Sequence, residues 1–293
     1  MTEARAPLAD RRILAVGLGD LGGAIAERLA AVGARVTGVR RRAGAPAGVE
    51  LRRMDARDAG ALAALPDDFD AAVLCVTPDA MDEAGYRDSY LAVARAFAER
   101  FAASAGDPLR RVLWISTTAV YAQGGGAEID DAAPAEPTSF RGRIMLEAEA
   151  ALARCLPLTT LRLSGIYGPG RLALIRRVLE GRGAPAEPVH WTNRIHRDDA
   201  AESAVFLLRR ALAGDAVPEV VLGTDPAPTP RHEVLAWLAE RLGASLETDA
   251  GSGPDRAPSR RMMPRRLLGL GHRFLHPDYR SGFEAVIAQL ERT

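Results

Sequence analysis

Three glycines near the amino terminus have the spacing of a phosphate-binding turn. Gly17, Gly19 and Gly22 follow an apolar run that ends at Val16. In such a turn the first glycine permits the tight bend after a strand. The second lets phosphates approach the backbone, and the third lets a helix lie close to the sheet. The pattern indicates binding of an anion at the start of that helix, with an ordinary glycine-rich turn as the alternative.

The turn lies in a complete β–α–β unit. The sequence predicts a strand over Arg12–Gly17, a helix over Leu21–Val32 and a second strand over Arg35–Arg40. Asp20 and Leu21 stand where the helix begins, so their backbone is expected to take part in binding. A lone glycine motif is weak support, but this whole unit is what the pyrophosphate of a dinucleotide requires.

The residues after the second strand bear on which dinucleotide would bind. A site for NAD places an acid there, and its carboxylate accepts hydrogen bonds from the ribose 2′-OH. This chain has Arg40, Arg41 and Arg42 instead. A guanidinium binds a phosphate through paired, charge-assisted hydrogen bonds, whereas a carboxylate would repel it. The run favours NADP over NAD and counts against FAD, with a solvated basic turn as the alternative.

The rest of the chain alternates strand and helix signals. Further strands are predicted at 50–54, 71–76, 110–116, 159–163 and 219–222, and further helices at 86–103, 140–155, 198–213, 230–242 and 282–292. This alternation predicts an α/β fold, a doubly wound parallel sheet or Rossmann fold with a smaller C-terminal substrate lobe. We expect a dinucleotide-binding domain over residues 1–170 and the substrate lobe over 171–293, interleaved with the last strands. Thr229 and Pro230 are predicted as N-cap and first residue of a helix.

The composition excludes several classes of protein. The 293 residues carry 38 basic and 38 acidic side chains and no apolar run long enough to span a bilayer. We therefore expect neither nucleic acid nor a membrane as a partner. We expect a small-molecule substrate instead. The amino terminus has no hydrophobic signal region, which predicts a cytoplasmic protein. Because the chain has no lysine, a P-loop lysine and a Schiff base are excluded.

The cysteines and histidines predict no metal site. Cys75 and Cys155 are interpreted as small buried apolar residues in a reducing compartment. His272 and His276 are four residues apart, but Pro277 follows and the sequence shows no third ligand.

Four later segments carry motifs in a fixed order. They are Ile115–Tyr121, Arg162–Arg171, Asn193–Ala200 and Tyr279–Phe283. With the glycine turn, they resemble the extended short-chain dehydrogenases/reductases, the NAD-dependent epimerase/dehydratase family, over almost the whole chain. The resemblance implies an NAD(P)-binding oxidoreductase or epimerase/dehydratase that acts on a small polar metabolite, such as one similar to a sugar nucleotide.

The same resemblance implies further coenzyme contacts. Asp55 matches the acid that holds the adenine after the third strand. Thr77 and Pro78 follow the fourth strand, where the backbone passes the coenzyme. Tyr167 would lie near the nicotinamide.

The chain departs from the family at the catalytic pair. There a tyrosine is the general acid/base, and a lysine four residues later lowers its pKa and holds the nicotinamide ribose. Alignment on Glu147 places Ser139 at the tyrosine and Arg143 at the lysine. Arg143 keeps the positive charge and could hold the ribose. A serine hydroxyl cannot replace a phenol as base, and Phe140 has the ring without the oxygen.

Two hypotheses follow. In the first, the protein is an enzyme that uses Thr117, four residues before Tyr121, as the family's serine or threonine that hydrogen-bonds the reacting oxygen. Arg143 would assist, and the proton would come from a water held by the substrate or from Tyr121. A hydroxyl that only caps the strand end is the other role open to Thr117. In the second, the protein is a catalytically silent NADP(H) sensor. Related proteins pair through the helices predicted at 86–103 and 140–155, which implies a homodimer.

Overall fold

The protein is represented by a computed structural model that describes residues 8–102, 109–247 and 258–292. Its strands are β1 (Arg12–Val16), β2 (Arg35–Arg40), β3 (Val49–Arg53), β4 (Ala71–Leu74), β5 (Arg111–Thr117), β6 (Ala127–Ile129), β7 (Leu158–Leu163), β8 (Gly165–Tyr167), β9 (Trp191–Thr192), β10 (Arg194–His196), β11 (Val220–Gly223), β12 (Thr229–Pro230) and β13 (Arg260–Met262). Its α-helices are α1 (Asp20–Ala31), α2 (Ala59–Ala63), α3 (Glu83–Tyr86), α4 (Ala92–Ala102), α5 (Phe140–Ala153), α6 (Ala173–Leu179), α7 (Arg197–Ala213), α8 (Arg231–Leu242), α9 (Arg265–Gly269) and α10 (Tyr279–Leu290).

One large sheet has the strand order β11–β7–β5–β4–β1–β2–β3. The pairs β3–β2, β2–β1, β1–β4 and β4–β5 are parallel. The N–H groups of Thr160 and Ser164 donate to the carbonyls of Glu219 and Gly223. These equal steps along both strands make β7 and β11 parallel as well. The doubly wound α/β fold is therefore confirmed. The order reverses between β1 and β4, where such folds form their ligand crevice.

Burial follows from this arrangement. Strands β4 and β7 are buried along their whole length, as expected for the inner strands of a parallel sheet. On α1, Leu21, Ile25 and Leu29 are buried at helical spacing, which gives the helix one apolar face to pack against its neighbours. No helix in the described ranges is long and apolar enough to cross a membrane.

The long elements lie where the sequence predicts them, and the differences are local. The helix predicted over 86–103 contains a π-helical turn at Arg87–Leu91 before α4. The prediction of Thr229 as an N-cap is wrong, because its hydroxyl donates to the carbonyl of Ala227 and Pro230 caps α8. The interpretation of both cysteines as buried is also wrong. Cys155 follows the end of α5 and is exposed, and Cys75 follows the end of β4 and is partly exposed.

The described chain forms two compact units. The first contains the residues up to Val120 with Pro137–Arg162 and Ala201–Val221, and the second contains Tyr121–Glu136, Leu163–Ala200 and the residues from Leu222 on. The first unit holds most of the large sheet. The second has its own hydrophobic core, in which Tyr167, Leu235 and Phe283 take part. The single boundary expected at residue 170, and the role of the lobe in binding substrate, stay predictions.

Candidate functional site

The turn between β1 and α1 is packed too closely for a side chain at two of its glycines. Gly17 has a φ of +89°, and a Cβ there would lie 2.3 Å from the carbonyl oxygen of Cys75. A Cβ on Gly22 would lie 1.9 Å from the carbonyl oxygen of Gly17. A larger residue at Gly17 would therefore push the turn away from the end of β4, and one at Gly22 would push α1 away from the turn.

Gly19 has a different reason to lack a side chain. A Cβ there would meet no atom of the described residues within 4 Å, and its backbone is in the extended region that any residue adopts. Its side-chain space opens at the beginning of α1, in front of Asp20 and Leu21. The first N–H groups of a helix have no partner within the helix, and its partial positive charge favours an anion. The turn thus has the backbone shape that fits the diphosphate of a dinucleotide.

A cavity of about 480 Å³ lies at the carboxyl ends of β1, β2 and β4, within the first unit. Its lining includes these residues that the sequence singles out: Gly17, Gly19, Arg40, Arg41, Asp55, Thr77 and Pro78. Asp20, Leu21 and Gly22 continue from the turn into α1. The structure thus brings together residues from four separate segments of the sequence.

Asp55 is held by an arginine in the same lining. The Nε and Nη2 atoms of Arg57 donate to the two carboxylate oxygens at 2.9 and 2.6 Å, and the N–H of Arg57 donates to Oδ1 at 3.0 Å. These hydrogen bonds hold the pKa of Asp55 below its usual value. The carboxylate is therefore ionised at neutral pH, and its contact with the adenine stays a prediction.

A second ion pair lies beside the first. Nη1 and Nη2 of Arg41 donate to Oδ2 and Oδ1 of Asp79 at 2.6 and 2.5 Å. Nη1 of Arg57 is 3.8 Å from Oδ2 of Asp79, so the two pairs form one network. Arg40 is turned to the carbonyl of Gly44, to which its Nη1 donates at 3.2 Å.

The sequence analysis missed Arg57 and Asp79. Arg57 stands two residues after Asp55, and Asp79 directly follows Pro78. Both lie just past the carboxyl ends of parallel strands, where a ligand crevice is expected. Their position was therefore a usable signal, but their pairing with Arg41 and Asp55 depends on the fold.

The beginning of α5 shows what the serine at the family's tyrosine position does. Ser139 is the N-cap of this helix, and its hydroxyl accepts a hydrogen bond from the N–H of Gly142 at 3.3 Å. Phe140 is the first helical residue, and its ring packs edge to face on Tyr86 with 5.6 Å between centroids. Ser139 thus stabilises the helix rather than providing a base.

Thr117 and Arg143 lie on two segments that contact each other. Thr117 ends β5, and its Oγ1 accepts a hydrogen bond from the N–H of Ala119 at 3.2 Å. Arg143 is exposed on the first turn of α5, and its Nη1 donates to the carbonyl of Thr138 at 3.1 Å. A Cβ on Gly142 would lie 2.4 Å from the carbonyl oxygen of Ala119. Because the Thr117 hydroxyl accepts the hydrogen bond from Ala119, it caps the end of β5, and its own proton can still be donated to another acceptor.

A buried ion pair fixes α5 against the sheet. Arg162 on β7 donates through Nη2 to Oε2 of Glu149 on α5 at 2.6 Å, and Oγ of Ser116 on β5 donates to Oε1 at 2.6 Å. All three residues are buried. Removing one partner of such a pair would leave a buried charge unpaired, so the network holds α5 in one position. Ser116 directly precedes Thr117, which extends this restraint to the end of β5.

Two tyrosines considered for the site are buried in the second unit. Tyr121 is 2% exposed and Tyr167 is 5% exposed. The Tyr167 ring packs on Phe283 with 4.5 Å between centroids, and its hydroxyl donates to the carbonyl of Asp278 at 3.4 Å. Burial raises the pKa of Tyr167. The contact of Tyr167 with the nicotinamide and the proton transfer by Tyr121 both stay predictions.

One cluster in the second unit has the residue types of a metal site. His196, Asp199 and His276 place their ligand atoms within 4.8 Å of one another. The fold thus brings His276 the additional partners that the sequence did not show. The Asp199 carboxylate, however, accepts hydrogen bonds from the N–H groups of Leu275 and His276 at 2.5 and 3.0 Å. These hydrogen bonds hold the loop that contains Leu275 and His276 against α7, so the Asp199 carboxylate has a structural role.

Comparison with known proteins agrees with this architecture. A Methylobacillus flagellatus protein, provisionally assigned as an NAD-dependent epimerase/dehydratase, shares 36% identity with a TM-score of 0.79 over 97% of this chain and 100% of that chain. Human epimerase family protein SDR39U1, solved with NADPH, shares 24% identity with a TM-score of 0.75 over 94% and 99% of the two chains. Bordetella bronchiseptica WbmG, solved with NAD, shares 19% identity with a TM-score of 0.78 over 97% and 95%. At these lower identities the last two show the fold alone.

Curated protein sequences contain no significant match to the chain. The model of the NAD dependent epimerase/dehydratase family matches residues 13–223, from the first strand of the large sheet to the last. With the relative at 36% identity over nearly the full length, this match shows that the chain belongs to the NAD-dependent epimerase/dehydratase family.

Proposed function

We propose that the protein binds a nicotinamide dinucleotide, prefers NADP to NAD, and acts on a small polar metabolite as an oxidoreductase or epimerase/dehydratase. The cavity of the first unit carries the proposal. The open side-chain space of Gly19 lies before the start of α1, and Arg40, Arg41 and Arg42 line the same cavity. Proteins of this fold have been solved with NADPH and with NAD, so the fold alone does not select one of them. The arginines in the lining favour NADP, because a guanidinium can bind its 2′-phosphate.

In this proposal Arg143 helps to hold the coenzyme and Thr117 helps to hold the substrate. The coenzyme, when bound, supplies or accepts a hydride at its nicotinamide ring. Arg143 holds the nicotinamide ribose through its guanidinium. Thr117 donates its hydroxyl proton in a hydrogen bond to the reacting oxygen of the substrate. Of the two proton donors that the sequence leaves open, a water held by the substrate and Tyr121, we favour the water because the Tyr121 side chain is buried.

Calorimetric titration with NAD, NADH, NADP and NADPH tests the coenzyme assignment. In Arg40→Asp, a charge reversal in the cavity lining should weaken NADP and NADPH at least about tenfold and NAD and NADH much less. Arg52→Asp is the matched control, because Arg52 is exposed on β3 outside the lining and pairs with Glu50. If none of the four coenzymes binds the unaltered protein, the proposal fails.

Measurement of turnover tests the proposal that the protein is an oxidoreductase or an epimerase/dehydratase. The expected result is NADPH oxidation or isomerisation with one member of a panel of carbonyl compounds and sugar nucleotides, at a rate that Thr117→Ala lowers. No turnover across the panel, or a rate indifferent to Thr117→Ala, would refute this part alone.

A second candidate function is a silent sensor of NADP(H). The use of Ser139 as an N-cap favours it, because the family's base is then missing while the binding turn is kept. A sensor would bind NADP and NADPH tightly without turnover and would respond differently to the two. Equal thermal stabilisation and equal hydrodynamic radius with both forms would exclude this candidate.

We also propose a homodimer formed through α4 and α5, which pack against each other on the first unit. Light scattering should give twice the chain mass, and a monomer at high protein concentration would contradict it.

A further inference from the structure

We infer that Asp79 limits the preference of the cavity for a 2′-phosphorylated coenzyme, because its carboxylate competes with the phosphate for the guanidinium of Arg41. This inference rests on the proposed function and adds a residue that determines specificity. Sequence reasoning about the arginines alone would predict a strong and simple preference for the phosphate. The structure shows that Arg41, one of the arginines in the lining, already has an anionic partner in Asp79.

The guanidinium of Arg41 is already paired with the carboxylate of Asp79. Both terminal nitrogens of its guanidinium donate to the two oxygens of Asp79, at 2.6 and 2.5 Å. A phosphate binds a guanidinium through the same paired geometry. The carboxylate therefore occupies the edge formed by Nη1 and Nη2 of Arg41, where a 2′-phosphate would compete with it for paired hydrogen bonds.

The ion pair between Arg41 and Asp79 is in contact with water. The side chains of Arg41 and Asp79 are 51% and 49% exposed. An ion pair in contact with water is only weakly stabilising, so an incoming phosphate dianion can replace the carboxylate. Arg41 also holds the pKa of Asp79 below its usual value, so the competitor is charged at neutral pH.

Arg57 gives the displaced carboxylate a second partner. Its Nη1 already lies 3.8 Å from Oδ2 of Asp79. Release of Arg41 therefore leaves Asp79 beside a positive charge, although the carboxylate still repels a nearby phosphate. NAD, which has only a 2′-hydroxyl, leaves the Arg41–Asp79 pair intact. Asp79 thus weakens NADP binding and has little effect on NAD binding.

The experiment measures the dissociation constants of NADP and NAD by calorimetry for the unaltered full-length chain and for Asp79→Asn. We expect Asp79→Asn to bind NADP at least about fivefold more tightly and NAD within about twofold of the unaltered protein. The same gain should appear with the adenosine halves, adenosine 2′,5′-bisphosphate against 5′-AMP. High salt should shrink the difference, since the effect is between exposed charges.

Two further variants make the result specific. Glu50→Gln removes a carboxylate that is paired with Arg52 on β3 outside the cavity lining, and it should leave both dissociation constants unchanged. In an Arg41→Ala background the gain from Asp79→Asn should be smaller, because competition for that guanidinium is gone. Thermal unfolding of each variant checks that the fold is intact.

The outcomes separate this inference from the proposed function. Equal changes for NADP and NAD in Asp79→Asn would overturn the inference while leaving the coenzyme assignment standing. So would an equal gain from Glu50→Gln, or a gain that is undiminished without Arg41. If no adenosine ligand binds any variant, the proposed function itself has failed.

Discussion

The turn after β1 and the beginning of α5 lie in the same unit but differ in what determines their shape. The turn keeps Gly17, Gly19 and Gly22, and its shape comes from the backbone. Helix α5 exposes Arg143 on its first turn and uses the side chain of Ser139 as its N-cap. Coenzyme binding depends on many backbone groups, whereas proton transfer depends on one side chain. Under the proposed function, coenzyme binding can therefore persist in a chain whose proton-transfer residue has changed.

The largest effect should come from the ion pair that positions α5. Glu149→Leu leaves Arg162 buried without its carboxylate, so we expect a loss of about 3–5 kcal/mol in the free energy of unfolding. Urea denaturation measures it. The double variant Glu149→Leu with Arg162→Leu should be destabilised much less, because both charges are gone. A single variant as stable as the unaltered protein would mean that α5 is held by other contacts.

The packing of the turn gives the next largest effect. In Gly22→Ala the new Cβ would lie 1.9 Å from the carbonyl oxygen of Gly17. The helix or the turn must shift, at a cost of about 1–3 kcal/mol of stability. Coenzyme affinity should fall together with stability, since the same backbone shapes the site. Unchanged thermal unfolding would show that the turn is more adaptable than its spacing indicates.

Gly19→Ala separates binding from stability within the same turn. A Cβ at Gly19 meets nothing within 4 Å among the described residues, so stability should change by less than about 0.5 kcal/mol. If phosphates approach this backbone, coenzyme affinity should still fall at least about tenfold. Calorimetry beside thermal unfolding measures both quantities. Equal affinity in Gly19→Ala and the unaltered protein would place the phosphates away from the turn.

Ser139→Ala should have the smallest effect, and it tests the beginning of α5 rather than the turn after β1. Loss of the hydroxyl that caps α5 should cost about 1 kcal/mol of stability. Coenzyme affinity should stay the same, because the cap provides no ligand contact in this account. Any turnover should also survive, apart from loss through unfolding. An activity abolished at full stability would identify Ser139 as a catalytic residue after all.

The local part of the fold could be predicted from the sequence. The β1–α1–β2 unit follows from apolar periodicity and glycine spacing, and each strand of the large sheet has its own apolar run. The cap of α8 could not be predicted, because Thr229 has the right residue type but its hydroxyl bonds to Ala227. Short strands such as β9 and β12 are two residues long and exist only through their pairing, which sequence periodicity does not show.

The candidate site also has a part that local sequence predicts and a part that depends on tertiary structure. Gly17, Gly19 and Arg41 line one cavity, and the sequence predicts this proximity because all three belong to one β–α–β unit. The pairing of Arg41 with Asp79 joins residues 38 positions apart, and that of Arg162 with Glu149 depends on how α5 packs on the sheet. Such contacts are set by tertiary structure. The role of Ser139 as the N-cap of α5 is seen only in the structure, because a serine at that position of the sequence fits several roles.

A crystal structure of the protein grown with saturating NADPH tests the central claim most directly. The account predicts the diphosphate at the N–H groups that begin α1, against Gly19, and the 2′-phosphate beside Arg40 and Arg41. A cavity without coenzyme under those conditions, or NADPH bound at another place, would contradict it.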